Sequence, residues 1–426
     1  MTGYGITING EAFNQHPPLT YIIYSAFFAI FGFNEWIIKL VIALFGVGSV
    51  ICAYYIGKEL ENIYAAIFAA VLTFSNYLFF FLSTRILNNI IETFFIISAT
   101  LFFIRYLRSK KYSDLAICVA LVCGSVLIRL SSLVLVIAFG IALLYSHKRA
   151  IIKEVINKKF IACLLPLVLT VIYLVASQIL IPNFMERTLG GSTLDVAEWY
   201  YYIVNFVNIF GWQLVLVSAI SIVLLLISTK LKPSKEMFVI FITIICYFII
   251  NSVWPVKEGR YIVALVPLLA VCASLLLAKI STYNEKNWIR YIVCSLLLIV
   301  VIVSSLPFAY LAVADKAVGF CGLEEIGTAM RGYTDNNENV ISSSIMQLTW
   351  YADLNNRIYF PPSNITAFHD LVKAKNITYA EFDAWERTQP AYISEVINQS
   401  EIVDYYPHDA SASNPVSIVV VGVQKQ

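Results

Sequence analysis

The sequence predicts a polytopic α-helical membrane protein with a small α/β domain at its C-terminal end. Hydrophobic residues make up 59% of the chain and charged residues only 13%, whereas a soluble domain usually carries about a quarter charged residues. Up to residue 314 the apolar residues form long runs, close to the roughly 20 residues that a helix needs to cross a bilayer. Residues 315–426 lack such runs and alternate short apolar strands with helix-like stretches.

The first 35 residues are interpreted as part of an outer loop. The apolar run Leu19–Phe31 follows His16-Pro17-Pro18. It is too short to span the hydrocarbon layer comfortably. Because proline is favoured at the start of a helix, we predict an interfacial helix here, lying on the outer face.

The next region, residues 36–314, is predicted to be a transmembrane domain of about ten helices. All-helical spans are expected because lipid cannot satisfy open backbone hydrogen-bonding groups. The run 113–147 is read as two short spans, with one bent helix as the alternative. The ten predicted spans are 36–57, 63–82, 88–107, 113–128, 131–147, 160–181, 211–228, 237–253, 261–279 and 289–313.

Loop charges predict the orientation. Of the 22 Lys and Arg in residues 1–314, 16 lie in or beside the loops that follow odd-numbered spans and 6 lie on the opposite side. The positive-inside rule puts the richer set in the cytoplasm, so the protein is predicted to be a multi-pass cell-membrane protein with an exterior C-terminal domain. The three Asn-x-Ser/Thr triplets, at Asn364, Asn376 and Asn398, all fall in that domain and agree with this placement.

The tail differs from the membrane region in charge and in pattern. Residues 315–426 hold 7 Lys/Arg and 14 Asp/Glu, a balance of −7, against +9 for residues 1–314. Alternation of strands and helices predicts a small α/β domain. Ser363 is the expected N-cap of its second helix. The predicted strands are 339–342, 357–360, 377–382, 401–405 and 417–421, and the predicted helices are 347–354, 363–374 and 390–399.

Several kinds of chemistry have no signature in the sequence. No Gly-rich phosphate loop follows a predicted strand, so the tail is interpreted as a binding or accessory module. No zinc-peptidase, nucleophile-elbow, Walker or EF-hand pattern occurs, and no Cys-x-x-Cys pair, so no metal site and no cofactor is indicated. The basic residues of the first 314 lie in short loops between apolar runs, which fits a membrane protein and does not indicate a nucleic-acid partner.

Basic residues at the outer boundary are the candidate binding groups, because charges at membrane depth are costly and usually functional. Arg85, Arg129 and the segment Lys257–Tyr261 share the predicted outer face. Together they would suit a lipid-linked phosphate. The alternative is that each arginine only extends its charged end from a helix terminus into water.

A general base would have to come from the acidic residues of the same face. The aromatic residues Trp199 and Tyr200–Tyr202 are read as an interfacial belt, with sugar stacking as the alternative. His16 is read as part of a structural junction, with metal ligation as the alternative. The outer carboxylates are Glu11, Glu35, Glu92, Glu186, Asp195, Glu198 and Glu258.

Four segments in order resemble the GT-C glycosyltransferases, in particular the dolichyl-phosphate-mannose protein mannosyltransferases and the aminoarabinose transferases that modify lipid A. The first is His16-Pro17-Pro18-Leu19 with Phe31-Gly32. The second is Ser83-Thr84-Arg85 with Asn88-Asn89 and Thr93-Phe94-Phe95. The third and fourth are Gly124 with Leu127-Ile128-Arg129, and Arg260-Tyr261 with Pro267. Together they cover about residues 11–275.

The resemblance implies transfer of a sugar, such as mannose, from a polyprenyl- or dolichyl-phosphate donor to an acceptor hydroxyl of a protein or glycolipid at the outer face. Arg129, Lys257 and Arg260 would bind the donor phosphate. His16, Arg85, Asn89 and Tyr261 would organise the site.

The sequence departs from the family pattern at two places. Asn88 and Asn89 stand where the family usually has Asp or Glu. The family's catalytic carboxylate lies upstream of His-Pro-Pro, after a first span, and Glu11 is a weak substitute for it. We therefore expect the natural protein to have one more N-terminal span, without which this chain would be inactive alone. The rival interpretations are a lipid or glycolipid flippase and a non-catalytic membrane scaffold.

Overall fold

The computed structural model describes fourteen segments of the chain, and all structural statements below refer to them. The described residues are 7–8, 11–12, 17–32, 34–147, 157–180, 198–227, 234–254, 257–282, 287–314, 322–334, 338–352, 358–384, 390–411 and 415–423. They divide into two compact units. One unit comprises Gln15–Ala314, and the other comprises Met1–Asn14 together with Asp315–Gln426.

The first unit is helical, and each of the ten predicted spans overlaps at least one of its helices. Its helices are α1 Leu19–Phe31, α2 Glu35–Leu60, α3 Ile63–Ser75, α4 Tyr77–Leu82, α5 Asn89–Ser109, α6 Tyr112–Val126, α7 Val134–His147, α8 Lys158–Leu180, α9 Tyr201–Val204, α10 Phe206–Phe210, α11 Trp212–Ile227, α12 Lys235–Val253, α13 Leu265–Thr282 and α14 Asn287–Ala314. Two 3₁₀ turns, Leu130–Leu133 and Gly259–Ile262, precede α7 and α13.

Length and composition alone qualify five described helices to cross a membrane: α2, α5, α8, α12 and α14. Helices α3, α6, α7, α11 and α13 are apolar but shorter. The chain is a polytopic helical membrane protein, and the number of ten crossings remains a prediction. Helix α1 forms over the predicted residues 19–31, directly after Pro17-Pro18.

Two of the apolar runs are interrupted at polar residues. The run 63–82 breaks at Asn76, whose Oδ1 accepts a hydrogen bond from the Phe79 N–H at 3.1 Å and so caps α4. The run 113–147 is two helices, α6 and α7, separated by Leu127–Arg129 and the first 3₁₀ turn. The prediction of two segments here is therefore correct, and the break carries Arg129.

Helix α13 is the most enclosed element of the helical unit. It packs against α2, α3 and α11, and nearly all of its residues are buried. Helices α2 and α3 approach closely at Gly57, where an added Cβ would lie 2.7 Å from the Ala65 backbone oxygen. By contrast, α8 and α14 leave most of their length uncovered by protein, as expected of helices that face lipid.

The second unit contains an α/β domain built on a five-stranded mixed sheet. Its strands are β3 Asn339–Ser342, β4 Ile358–Tyr359, β5 Ile377–Asp383, β6 Glu401–Tyr406 and β7 Ile418–Gly422. Their spatial order is β4-β3-β5-β7-β6. Strand β3 is parallel to β4 and β5, whereas β7 is antiparallel to β5 and β6. Its helices are α15 Leu323–Met330, α16 Ile345–Ala352, α17 Ile365–Lys375 and α18 Ile393–Gln399.

Two details of the α/β domain differ from the prediction. The N-cap of α17 is Asn364, not Ser363, because the Asn364 Oδ1 accepts the Ala367 N–H at 2.9 Å. Helix α15 carries no strong sequence signal and was not predicted. A two-residue antiparallel pair, β1 Thr7–Ile8 with β2 Glu11–Ala12, also belongs to the second unit.

Candidate functional site

The candidate site forms where helices of the first unit are interrupted. Helix α5 begins at Asn89, the α6–α7 break holds Arg129, and the segment Lys257–Ile262 joins α12 to α13. Each interruption places polar groups next to helix ends, while the apolar residues of the helices form the buried core. The predicted site residues Asn89, Arg129 and Arg260–Tyr261 come from these three places.

The centre of the site is a buried carboxylate, Glu92, in the first turn of α5. Its side chain is 2% exposed. The Glu92 Oε1 accepts hydrogen bonds from Ser132 Oγ at 2.8 Å, Tyr247 Oη at 3.0 Å and Ser131 Oγ at 3.3 Å. Its other oxygen, Oε2, lies 3.6 Å from Arg129 Nη1. The carboxylate therefore joins α5 to the α6–α7 break and to α12.

Two guanidinium groups flank one aromatic ring. The Arg129 Cζ lies 3.8 Å from the centroid of the Tyr261 ring, and the Arg260 Cζ lies 5.6 Å from the same centroid. The face of a phenol ring carries negative potential and attracts cations. A contact of a cation with the face of a ring uses none of the N–H donors of a guanidinium group. Arg129 Nη1 has no hydrogen-bond partner among the described residues.

The segment that carries Lys257, Glu258 and Arg260 is fixed by side chains on both sides. Arg260 Nη2 donates to Glu258 Oε1 at 2.7 Å, and Tyr261 Oη donates to the same oxygen at 3.1 Å. The Glu258 N–H donates to Tyr202 Oη at 3.2 Å, while Tyr202 Oη donates to the Glu258 carbonyl at 3.0 Å. Burial raises the pKa of the Tyr202 phenol, so this hydroxyl stays neutral.

Two further groups complete the described site. Asn89 Nδ2 donates to the Arg260 carbonyl oxygen at 3.1 Å and so ties the start of α5 to the same segment. The Lys257 residue is only 9% exposed. A lysine is rarely buried to this degree unless its charge is compensated or used.

The other predicted site residues lie in different places. The Arg85 guanidinium packs over the Phe81 ring at 4.9 Å, and partial burial lowers its pKa. His16 lies outside the described residues. Glu11 lies in β2 of the other unit, and its side chain lies outside the described part. Among the other outer carboxylates, Glu35 pairs with Lys39 at 2.6 Å, and Glu186 and Asp195 fall outside the described residues.

The sequence alone did not give the connecting groups of the site. In the sequence Glu92 is one of seven candidate carboxylates, and no pattern singles out Tyr247 or the Ser131-Ser132 pair. A signal was present in part: Glu92 is the sole acidic residue in the predicted span 88–107, and an acidic residue at membrane depth is costly. Tyr247 has no such signal, because tyrosine is ordinary in an apolar helix.

The arrangement suits an anion that carries a bulky apolar group. Arg129 is paired with Glu92 and Arg260 with Glu258, and both guanidinium groups lie over the Tyr261 ring. Arginine forks match the geometry of phosphate oxygens. Among the residues that the structure describes, no cluster of three His, Cys, Asp or Glu side chains could hold a metal ion.

Comparison with known proteins finds a family model that matches part of the chain and solved structures with a similar fold. The family model of dolichyl-phosphate-mannose-protein mannosyltransferase matches residues 15–174. No curated protein matches the sequence. The fold is similar to that of ArnT from Cupriavidus metallidurans in the apo state, with a TM-score of 0.70, 13% identity, and coverage of 100% of this chain and 92% of that one.

Two further solved structures contain lipid phosphates. ArnT bound to undecaprenyl phosphate matches with a TM-score of 0.67 and 13% identity, over 99% of this chain and 92% of that chain. The archaeal oligosaccharyltransferase AglB from Archaeoglobus fulgidus, in complex with an inhibitory peptide and a dolichol-phosphate, matches with a TM-score of 0.58 and 15% identity, over 97% of this chain and 67% of that chain. At these identities the likeness establishes the fold.

Proposed function

Since the chain has the GT-C glycosyltransferase fold, we propose that it transfers a sugar from a polyprenyl- or dolichyl-phosphate donor to an acceptor hydroxyl at the outer membrane face. One observation carries the proposal: the fold brings the guanidinium groups of Arg129 and Arg260 to one ring, that of Tyr261. The predicted orientation puts these cations at the depth where a lipid phosphate would lie. Mannose is the first sugar to test, because residues 15–174 match a mannosyltransferase family model.

The proposed reaction is a single displacement. The acceptor oxygen forms a bond to the anomeric carbon while the bond from that carbon to the phosphate oxygen breaks. The lipid phosphate leaves with the electron pair, and the acceptor's proton passes to a base. Cations fixed beside the phosphate stabilise the charge that develops on the leaving group.

The described carboxylates differ in their suitability as that base. Glu92 is buried, and its Oε1 already accepts three hydroxyl hydrogen bonds. The Glu258 side chain is 40% exposed, and its Oε1 is held by Arg260 and Tyr261. Glu258 is therefore the better-placed of the two to meet an acceptor, while Glu11 keeps its position as a candidate from the sequence.

Release of lipid phosphate in detergent solution tests the proposal against a flippase and a scaffold. Purified full chain would be mixed with polyprenyl-phosphate mannose and hydroxyl acceptors, and free polyprenyl phosphate would be measured by mass spectrometry. A flippase needs two membrane faces and releases nothing in micelles, and a scaffold leaves the donor intact. Absence of release with mannose and with other polyprenyl-phosphate sugars would refute transferase activity of this chain by itself.

Substitution of the basic residues tests the site within the same assay. Arg129→Ala and Arg260→Ala should each weaken binding of undecaprenyl phosphate roughly ten- to 150-fold, since a charge-assisted contact contributes about 1.5–3 kcal/mol. Arg290→Ala, on the predicted cytoplasmic side, is the matched control and should bind as the unaltered chain does. Unchanged affinity in both site variants would show that the phosphate binds elsewhere.

A further inference from the structure

Glu92 is a buried carboxylate that takes no direct part in the proposed reaction. It lies in α5, a helix long and apolar enough to cross the membrane, and its side chain is 2% exposed. A charge at such a place is expensive to bury unless other groups compensate it. The contacts of Glu92 show which groups it serves.

The first contacts of Glu92 are hydrogen bonds that occupy one of its two carboxylate oxygens. Glu92 Oε1 accepts three hydroxyl hydrogen bonds, from Ser131, Ser132 and Tyr247. An oxygen that already accepts three donors has little capacity left to take a proton from an acceptor. This geometry argues for a role through neighbouring groups.

The second oxygen faces Arg129. The separation of 3.6 Å between Glu92 Oε2 and Arg129 Nη1 is longer than a normal charge-assisted hydrogen bond. The pair therefore supplies opposite charge to the guanidinium without fully occupying its donors. Arg129 Nη1 makes no hydrogen bond to any described residue, and a buried, unsatisfied donor of a charged group carries a substantial cost.

The same carboxylate also reaches the second basic segment. Tyr247 Oη, which donates to Glu92, lies 3.3 Å from the Tyr261 carbonyl oxygen. The Tyr261 ring in turn stacks on Arg129. Glu92 thus sits at the junction of the two chain segments that carry Arg129 and Arg260.

We propose that Glu92 is a positioning residue that holds the Arg129 guanidinium beside the Tyr261 ring, by its charge and with the help of Ser132 and Tyr247, so that the other N–H donors of Arg129 can meet a polyprenyl phosphate. The inference rests on the proposed function for the identity of the ligand. The hold on Arg129 itself does not depend on that function. The two parts can therefore be tested separately.

Chemical labelling of Arg129 measures the hold without any lipid. Full-length protein in detergent would be treated with phenylglyoxal, and the labelling rate of Arg129 would be followed by peptide mass spectrometry. In Glu92→Gln the counter-charge is lost, so the guanidinium should leave its buried position and react faster. Glu92→Asp keeps the charge and should label more slowly than Glu92→Gln.

Two further variants separate positioning from general loss of structure. Thr100 lies in the same helix and is equally buried, and Thr100→Val removes a hydroxyl whose one hydrogen bond among the described residues goes to the Ile96 carbonyl of α5. This variant should leave Arg129 labelling unchanged. Ser132→Ala removes one donor to Glu92 without a change in charge, and it should raise the labelling rate less than Glu92→Gln. If Glu92→Gln does not fold, this variant still decides the question.

Binding of undecaprenyl phosphate then tests the consequence. The dissociation constant should rise about ten-fold in Glu92→Gln, equivalent to about 1.4 kcal/mol, and stay near that of the unaltered chain in Thr100→Val. An Arg129 labelling rate that is unchanged in both Glu92→Gln and Ser132→Ala would overturn the proposal. So would faster labelling with unchanged lipid affinity.

The failure of the proposed function would look different. An unaltered chain that does not bind undecaprenyl phosphate, yet labels faster at Arg129 after loss of the Glu92 charge, would refute the lipid-phosphate site. Glu92 would then remain the group that holds Arg129, and the ligand assignment would be wrong.

Discussion

At the scale of single residues, the Tyr261 ring is the common surface for two cations. Arg129 lies 3.8 Å and Arg260 5.6 Å from its centroid. The ring holds both guanidinium groups without using their N–H donors, whereas a carboxylate in its place would consume them. The Tyr261 hydroxyl has a separate task, a hydrogen bond to Glu258.

These two tasks of Tyr261 can be separated by substitution. Tyr261→Phe keeps the ring and should leave the affinity for undecaprenyl phosphate within about two-fold. Tyr261→Ala removes the ring and should weaken binding about ten-fold or more, because desolvated cation–π contacts contribute about 2 kcal/mol. Equal affinities of the two variants would mean that the ring does not position the arginines.

A second buried carboxylate, Glu381, should make the stability of the α/β domain depend on pH. It lies on β5, fully buried, and accepts a hydrogen bond from Ser342 Oγ at 2.6 Å. Burial, together with the neighbouring charge of Asp383, raises the pKa of Glu381 to about 8. In the unfolded chain this pKa returns to an ordinary value of about 4.3. The folded domain therefore holds a proton that the unfolded chain releases.

The difference between the folded and unfolded pKa of Glu381 determines how stability changes with pH. Stability contributed by the protonated carboxyl is fully present below about pH 4 and is lost as the pH rises towards 8, the folded-state pKa. Hydrogen exchange of β5 amides, corrected for the intrinsic rate, should thus show weaker protection at pH 8 than at pH 5.5. Glu381→Gln stays neutral and should reduce this difference. A pH-independent protection in the unaltered chain would contradict the raised pKa.

At the scale of elements, the helical unit depends on close approaches at small residues. An added Cβ at Gly57 of α2 would lie 2.7 Å from the Ala65 backbone oxygen at the start of α3. Backbone atoms cannot move aside as a flexible side chain can. Glycine at this position is therefore required by packing between two helices, although it lowers helix propensity.

A pair of glycine substitutions tests this contact. Gly57→Ala should lower the free energy of unfolding by about 1–3 kcal/mol, the usual cost of overpacking. Gly140→Ala in α7, where an added Cβ meets nothing within 4 Å, should be neutral or stabilising. Thermal unfolding of both variants in the same detergent gives the comparison. Equal melting temperatures would show that α2 and α3 can separate at little cost.

At the scale of the whole molecule, the orientation of the chain is a prediction from loop charge. The 16-to-6 distribution of Lys and Arg puts residues 315–426 outside. Protease added to sealed cells or right-side-out vesicles should therefore remove the α/β domain. If the domain is cut only after lysis, the predicted orientation is wrong, and the basic site would then lie on the cytoplasmic side.

The sequence by itself determined the class of the molecule and most of its elements. Apolar runs at residues 36–313 gave the helices because lipid leaves the backbone no alternative to internal hydrogen bonds. Strand–helix alternation gave the five strands of the tail, although not α15 or the Asn364 cap. Four predicted site residues, Asn89, Arg129, Arg260 and Tyr261, proved to be neighbours.

Only the tertiary structure decided how those residues are held. Glu92 and Tyr247 are 155 positions apart, yet Tyr247 donates a hydrogen bond to Glu92. Through this bond the carboxylate beside Arg129 is connected to the Tyr261 backbone. Periodicity and charge report which residues avoid lipid, but they do not report which buried polar groups meet. That pairing depends on helix packing, and a buried carboxylate is stable only where packing supplies its donors.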